Sequence, residues 1–227
     1  MNKYYKIIEN LVKFGVNPSL KANNILNLLA TGTLQIQNTI SKMSDNGNKY
    51  LAQAGFKTLI MNAKELVEKT LENCNLRNST GGNNMIATLG NIIWSIKQDI
   101  SKESSQEKTL LINNFKELKS LAEPIIEKIV KKQGFNPNIM DQLNSNTIAW
   151  FGTFGAAFLE KCIKNTHTKP DVNFYDKSGK TPLDWYSDYN ATKIVETLIK
   201  NDGNVNLQCT QDAATPGHRL FLNNSKV

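Results

Sequence analysis

The side chains from which this sequence could build chemistry are few: two histidines, three cysteines, three tryptophans and some lysine–glutamate pairs. Acid–base catalysis or metal ligation needs such groups to converge at defined spacing. His167 lies in the polar stretch Thr166-His167-Thr168-Lys169-Pro170, and His218 follows Thr215-Pro216-Gly217. Neither falls in the HExxH pattern of a zinc-protease helix or near a serine-hydrolase elbow. His167 reads as a solvated loop residue and His218 as a support for local hydrogen bonding. Cys74, Cys162 and Cys209 are odd in number and far apart. They read as small buried apolar residues of a chain kept in a reducing compartment, here the cytoplasm. Ser79-Thr80-Gly81-Gly82 lacks the lysine of a phosphate-binding loop and reads as a linker. Lys64 with Glu68, and Glu65 with Lys69, are four apart and decorate a solvated helix face. The expectation is a protein that is not an enzyme, with no metal, cofactor or small-molecule substrate. Trp94 and Trp150 read as packing between helices; Trp185, beside Asp184, is the tryptophan placed to serve a binding surface.

The formal net charge of +7 is uneven: residues 1–133 carry 18 basic and 11 acidic residues, and residues 134–227 carry nine of each. A basic half can attract nucleic acid or an anionic membrane. The excess is nearly all lysine, with Arg77 and Arg219 the arginines, and lysine and asparagine are both abundant, as an A/T-rich genome would also produce. Both readings stand at this point. At the start of the chain, Lys6, Glu9 and Lys13 interrupt the apolar residues before a secretory h-region can form. The apolar run from Ile148 to Leu159 is about a dozen residues, where a spanning helix needs about twenty, so it reads as buried core.

The elements that must position these side chains are helices. Apolar residues recur at helical spacing, as in Tyr4, Ile7, Ile8, Leu11, Val12; Ile60, Ala63, Val67, Leu71, Cys74; and Met85, Leu89, Ile92, Ile96, Ile100. A further stripe, Leu111, Phe115, Leu118, Ala122, Ile125, Ile129, contains Pro124, which predicts a break or kink near Ala122 and two helices. Break signals fall at Gly15-Val16-Asn17-Pro18, Asn46-Gly47-Asn48, Asn75 to Asn84, and Gly134-Phe135-Asn136-Pro137. The spacing suggests antiparallel helices stacked in pairs, although residues 1–133 also fit a bundle.

One repeat is visible. Asp171-Val172-Asn173 leads through Asp176, Gly179 and Thr181-Pro182-Leu183-Asp184 to Ile194, Val195, Leu198 and Ile199, and Val205-Asn206 returns 33 residues after Val172-Asn173. Gly179 suits a tight turn with positive φ, Thr181 can cap a helix whose first turn accepts Pro182, and the apolar residues form the side of a second helix. This stretch, residues 171–206, resembles the ankyrin repeat. It departs from the family pattern where Asp184 replaces a histidine, and where Tyr186 and Ser187 replace paired alanines. A weaker copy runs from Asn138 through Asp141, Thr147 and Trp150 to Asn165, a truncated one starts at Thr215-Pro216-Gly217-His218, and Ile7 to Asn17 resembles the end of another.

The resemblance implies an all-α fold, an ankyrin-like α-solenoid of stacked antiparallel helix pairs with short hairpin turns. Residues 1–134 would form a divergent helical region and residues 135–227 the ankyrin-like repeats. It further implies a monomeric protein–protein interaction module that binds an unidentified protein partner through hairpin tips and concave helix face. Those positions are Lys177, Ser178 and Lys180 at the tip and Asp184, Trp185 and Asp188 towards the groove. The composition suits an intracellular bacterium, in which ankyrin proteins are directed at the host. The alternative is a basic helical module, residues 1–133, that contacts nucleic acid or anionic membrane.

Overall fold

The computed structural model describes residues 22–27, 29–33, 64, 67–72, 74–102 and 107–224. The expected elements at Tyr4 to Val12, Gly15 to Pro18 and Asn46 to Asn48 lie outside the described residues, as do Ile60 and Ala63 of the second stripe. The fold is all-α, with no strand among the described residues. Seven helices follow helical segments at 22–27, 29–33 and 67–71: α1 (Gly81–Lys102), α2 (Glu107–Val130), α3 (Thr147–Thr153), α4 (Ala156–Asn165), α5 (Pro182–Asp188), α6 (Thr192–Lys200) and α7 (Pro216–Asn224). Links of two and three residues join α3 to α4 and α5 to α6. Loops this short make the paired helices neighbours.

Packing between these helices defines two layers. α1 touches α2 and α3, α3 touches α4 and α5, and α5 touches α6 and α7, while α2, α4 and α6 pack in succession behind them. The inner layer is therefore α1, α3, α5, α7 and the outer layer α2, α4, α6, the ankyrin-like solenoid expected from the repeat. A single apolar core runs between them, from Met85, Ile86 and Ile93 of α1 through Ile125 and Ile129 of α2 to Phe151, Leu159, Leu183 and Leu198. Such a unit is stable only through its neighbours, because one helix pair has too little core of its own.

Two local expectations are corrected. Pro124 lies inside an unbroken α2, so the chain does not form two helices there. Leu118 and Ala122 before it and Ile125, Ile126, Ile129 and Val130 after it are all buried. The burial of these six side chains, roughly 1.5–3 kcal/mol for each large one, outweighs the roughly 3 kcal/mol cost of an interior proline. The Ser79 to Gly82 stretch is also no linker: Gly81 and Gly82 begin α1 and are buried. A Cβ on Gly82 would stand 2.8 Å from Ile129 Cγ2, and one on Gly81 2.7 Å from the Asn23 carbonyl oxygen. Asn23 Oδ1 accepts from Gly81 N–H and from the Ser79 hydroxyl, both at 2.8 Å, satisfying a donor that a helix start leaves orphaned.

Successive repeats reuse the same devices. The helix caps are Asn146, whose Oδ1 accepts from Ala149 N–H at 3.1 Å, and Thr181, which forms a reciprocal capping box with Asp184. The cap of the upstream copy is thus Asn146, one residue before the expected Thr147, which is the first residue of α3. The left-handed residue of each tip is Asn144 (φ 55°), Gly179 (φ 68°) and Ala213 (φ 54°) in turn. Each tip is tied to the preceding one by a backbone bond, Lys177 N–H to the Asn144 carbonyl and Thr210 N–H to the Gly179 carbonyl, both 3.1 Å. Asparagines brace the opposite end. Asn138 donates to the Lys169 carbonyl and accepts from Asp171 N–H; Asn173 donates to the Asp202 carbonyl and accepts from Asn204 N–H.

Candidate functional site

Inner helices approach one another where one of the pair is small. Gly90 of α1 faces Trp150 of α3, and Gly152 of α3 faces the ring of Tyr186 of α5, whose hydroxyl donates to the Ala149 carbonyl. Tyr186, a departure from the family pattern, is thus accommodated by a glycine in the repeat before it. Burial pushes its phenol well above the ordinary range.

Around these contacts a groove of about 280 Å³ opens on the inner layer. Trp94 of α1, Trp150 of α3, Trp185 of α5 and Tyr189 at the end of α5 line it, with Asp176 from the hairpin tip. These are all three tryptophans of the chain. Trp94 and Tyr189 meet edge to face with centroids 4.4 Å apart, an arrangement favoured by the ring quadrupoles. Trp150 and Trp185 are each fixed by an aspartate nine residues upstream: Trp150 Nε1–H donates to Asp141 Oδ2 at 2.6 Å and Trp185 Nε1–H to Asp176 Oδ2 at 2.7 Å. Trp94 and Trp150 are therefore half-buried groove residues as well as packing ones.

The two aspartates differ in environment. Asp141 is 6 % exposed, and that burial raises its carboxyl to about 6, against the lowering effect of hydrogen bonds from Trp150 and from the N–H groups of Leu143 and Ser145. Asp176 is half-buried and caps its tip: Oδ1 accepts from Ser178 N–H, the Ser178 hydroxyl and Lys180 N–H.

The positions expected to meet a partner separate accordingly. Lys177 is exposed at the tip; Ser178 is half-buried and engaged with Asp176. Lys180 bridges Asp188 at 2.7 Å and lies 4.6 Å over the Trp185 ring. Trp185 lines the groove. Asp184 does not present a solvated carboxylate: it is 0 % exposed, its Oδ2 accepts from the Thr181 N–H and hydroxyl, and its Oδ1 from Arg219 Nε at 3.2 Å. A first-turn carboxylate completes the cap, and a cation from α7 neutralises it. Asp188 is held from both sides, by Lys180 and by Arg219 Nη1 at 3.0 Å, and Arg219 Nη2 reaches Asp212 at 2.8 Å. The roles of Tyr189, Asp141 and Arg219, and the contact of the turn residue Asp176 with Trp185, lie outside the expected positions. The signal in the sequence that could have found two of them is an aspartate nine residues before a tryptophan in both copies.

Of the remaining candidates, His218 Nδ1 accepts from Thr215 N–H at the start of α7, and exposed His167 meets the Lys131 carbonyl. Cys162 is buried, and that burial pushes its thiol far above the range in which a thiolate forms. Among the described residues no group of three histidines, cysteines or carboxylates converges as metal ligands, and no helix is long and apolar enough to cross a membrane.

The ankyrin repeat sequence model matches residues 178–210, which run from the tip through α5 and α6 to the next tip. An ankyrin repeat protein of Rickettsia conorii (strain ATCC VR-613 / Malish 7) is 98 % identical over 42 residues, 18 % of this chain and 78 % of that protein. This chain belongs to the ankyrin repeat family. Ankyrin repeats form protein–protein interaction modules.

Proposed function

We propose that this ankyrin module seats a protein partner in the aromatic groove, with Trp185 as the central anchor and Lys177, Ser178 and Lys180 at its tip edge. The carrying observation is the convergence of Trp94, Trp150, Trp185 and Tyr189 from three repeats on one half-exposed surface. Partly exposed aromatic clusters are the residues that dominate interface energies, because they bury large area at low entropic cost. The near identity of a 42-residue stretch to a Rickettsia conorii protein, with the lysine- and asparagine-rich composition, supports a partner in the host cell of an intracellular bacterium. The test is affinity capture from host and bacterial lysates with the intact chain and with Trp185→Ala. A partner held by the first and lost by the second, with both proteins folded, supports the groove; equal capture overturns it.

Contact with nucleic acid or anionic membrane through residues 1–133 rests on the lysine excess there. Within that part Lys119, Lys128 and Lys131 pair with Glu123, Glu68 and Glu127, which reduces the charge they offer a phosphate. Phosphate contacts weaken steeply with salt through counterion release. Capture that disappears between low and physiological salt favours the basic half over the groove.

A further inference from the structure

Resting on the groove reading, we infer that the pocket between Trp94, Trp150, Trp185 and Tyr189 receives the guanidinium of an arginine presented by the protein partner. The first ground is charge: among the described lining residues one is formally charged, and it is the carboxylate Asp176. An apolar anchor closing the pocket would strip water from that carboxylate without replacing it, whereas a cation offsets the loss. The second ground is the aromatic walls. The Trp150 and Trp185 N–H groups are already given to Asp141 and Asp176, so the indoles present faces rather than donors, and an indole face attracts a cation. Trp185 already does so, with Lys180 Nζ 4.6 Å from a ring of the indole.

Acceptor capacity selects the kind of cation. A carboxylate has about four lone-pair sites. Those of Asp176 meet four donors, three on Oδ1 (Ser178 N–H, the Ser178 hydroxyl and Lys180 N–H) and one on Oδ2 (Trp185 Nε1–H). It therefore supplies charge and a single remaining acceptor site, on Oδ2. A lysine ammonium gives up strong hydration and needs three directed acceptors in return; a guanidinium is weakly hydrated, stacks flat on an indole and turns its N–H edge outward. The nearby cations do not occupy the pocket. Lys180 is neutralised by Asp188, and Lys97 points its ammonium at the Thr153 carbonyl, over the Phe115 ring; neither lines the cavity.

Because every tryptophan of the chain lines this pocket, intrinsic fluorescence reads it selectively. The purified full chain is titrated with four capped amino acids: N-acetyl-arginine, N-acetyl-lysine, N-acetyl-trimethyllysine and N-acetyl-leucine methylamides. The expected result is saturable quenching by the arginine compound with an affinity about tenfold above the other three. Tyr189→Leu, which keeps an apolar side chain and removes a π face, should bring the affinity of the arginine compound down to that of the other three. Tighter binding of leucine, lysine or trimethyllysine overturns the guanidinium assignment, and so does the absence of saturation with any compound. Failure of the groove reading itself shows elsewhere, as partner capture unaffected by Trp185→Ala.

Discussion

Tyr186 of α5 fills the space that a side chain on Gly152 of α3 would need: a Cβ there would stand 2.5 Å from its Cζ and hydroxyl oxygen. The ring is 5 % exposed and sits between two repeats, so neither partner can move away freely. Gly152→Ala is expected to destabilise the chain by about 1–3 kcal/mol, the usual cost of overpacking, even though alanine is the better helix former. Chemical denaturation checks this, and a variant as stable as the parent would show that the contact is looser than described.

Trp185→Ala divides its effect between fold and binding. The side chain is half-buried and donates to Asp176, which keeps three other donors when it is removed. Stability should fall by about 1.5–3 kcal/mol, the worth of a hydrogen bond to a charged group. Partner affinity should fall roughly thirtyfold, as for an aromatic hot spot of about 2 kcal/mol. A melting curve recorded with a binding titration separates the two, and loss of the folded C-terminal repeats at room temperature would assign Trp185 to packing instead.

Arg219 ties α7 to α5 through Asp184 and Asp188, and to the hairpin tip before α7 through Asp212. Arg219→Ala leaves Asp184 buried without its counter-charge, a class of change that costs about 3–5 kcal/mol. Hydrogen exchange should speed up first in 182–188 and 216–224, before the α1 and α2 core opens. Arg219→Lys should rescue little, since one ammonium cannot reproduce contacts made through Nε, Nη1 and Nη2.

Asp141 gives the pH dependence an unusual sign. Its carboxyl is raised from 3.8 to about 6 in the folded chain, so the folded state binds the proton more tightly than the unfolded one. The stability attributable to this group therefore rises as pH falls from about 7 to about 4, by at most about 3 kcal/mol. Salt-bridged carboxylates do the reverse. Asp141→Asn keeps an oxygen for the Leu143 and Ser145 N–H groups and should abolish this component, seen as the difference between the two proteins in urea melts across that range.

The repeat at 171–206 was legible because its signals are local: Thr181-Pro182 sets a cap, Gly179 a positive φ, and the stripe of α6 a buried side. What the sequence hid depends on partners distant along the chain. Asp184 looked solvated because its cation, Arg219, comes from a helix 35 positions later. Tyr186 looked too large because the glycine that receives it belongs to the preceding repeat. Pro124 looked like a terminator because local cost is visible in sequence, whereas burial of its flanks against other helices is not. The other walls of the groove escaped for the same reason: Trp94, Trp150 and Tyr189 come together only when three inner helices stack.

The third hairpin tip is one residue longer than its predecessors. Cys209 N–H closes on the Ala214 carbonyl, where Asp141 closes on Ser145 and Asp176 on Lys180. Even so, Thr215 keeps the cap position, the bond from Thr210 to Gly179 is made, and α7 reaches α5. Insertion is absorbed at the tip, while the glycine–aromatic contacts between inner helices leave no such slack. The module therefore combines a rigid spine with a fringe that tolerates change: an insertion can lengthen a hairpin tip without shifting the spine's register.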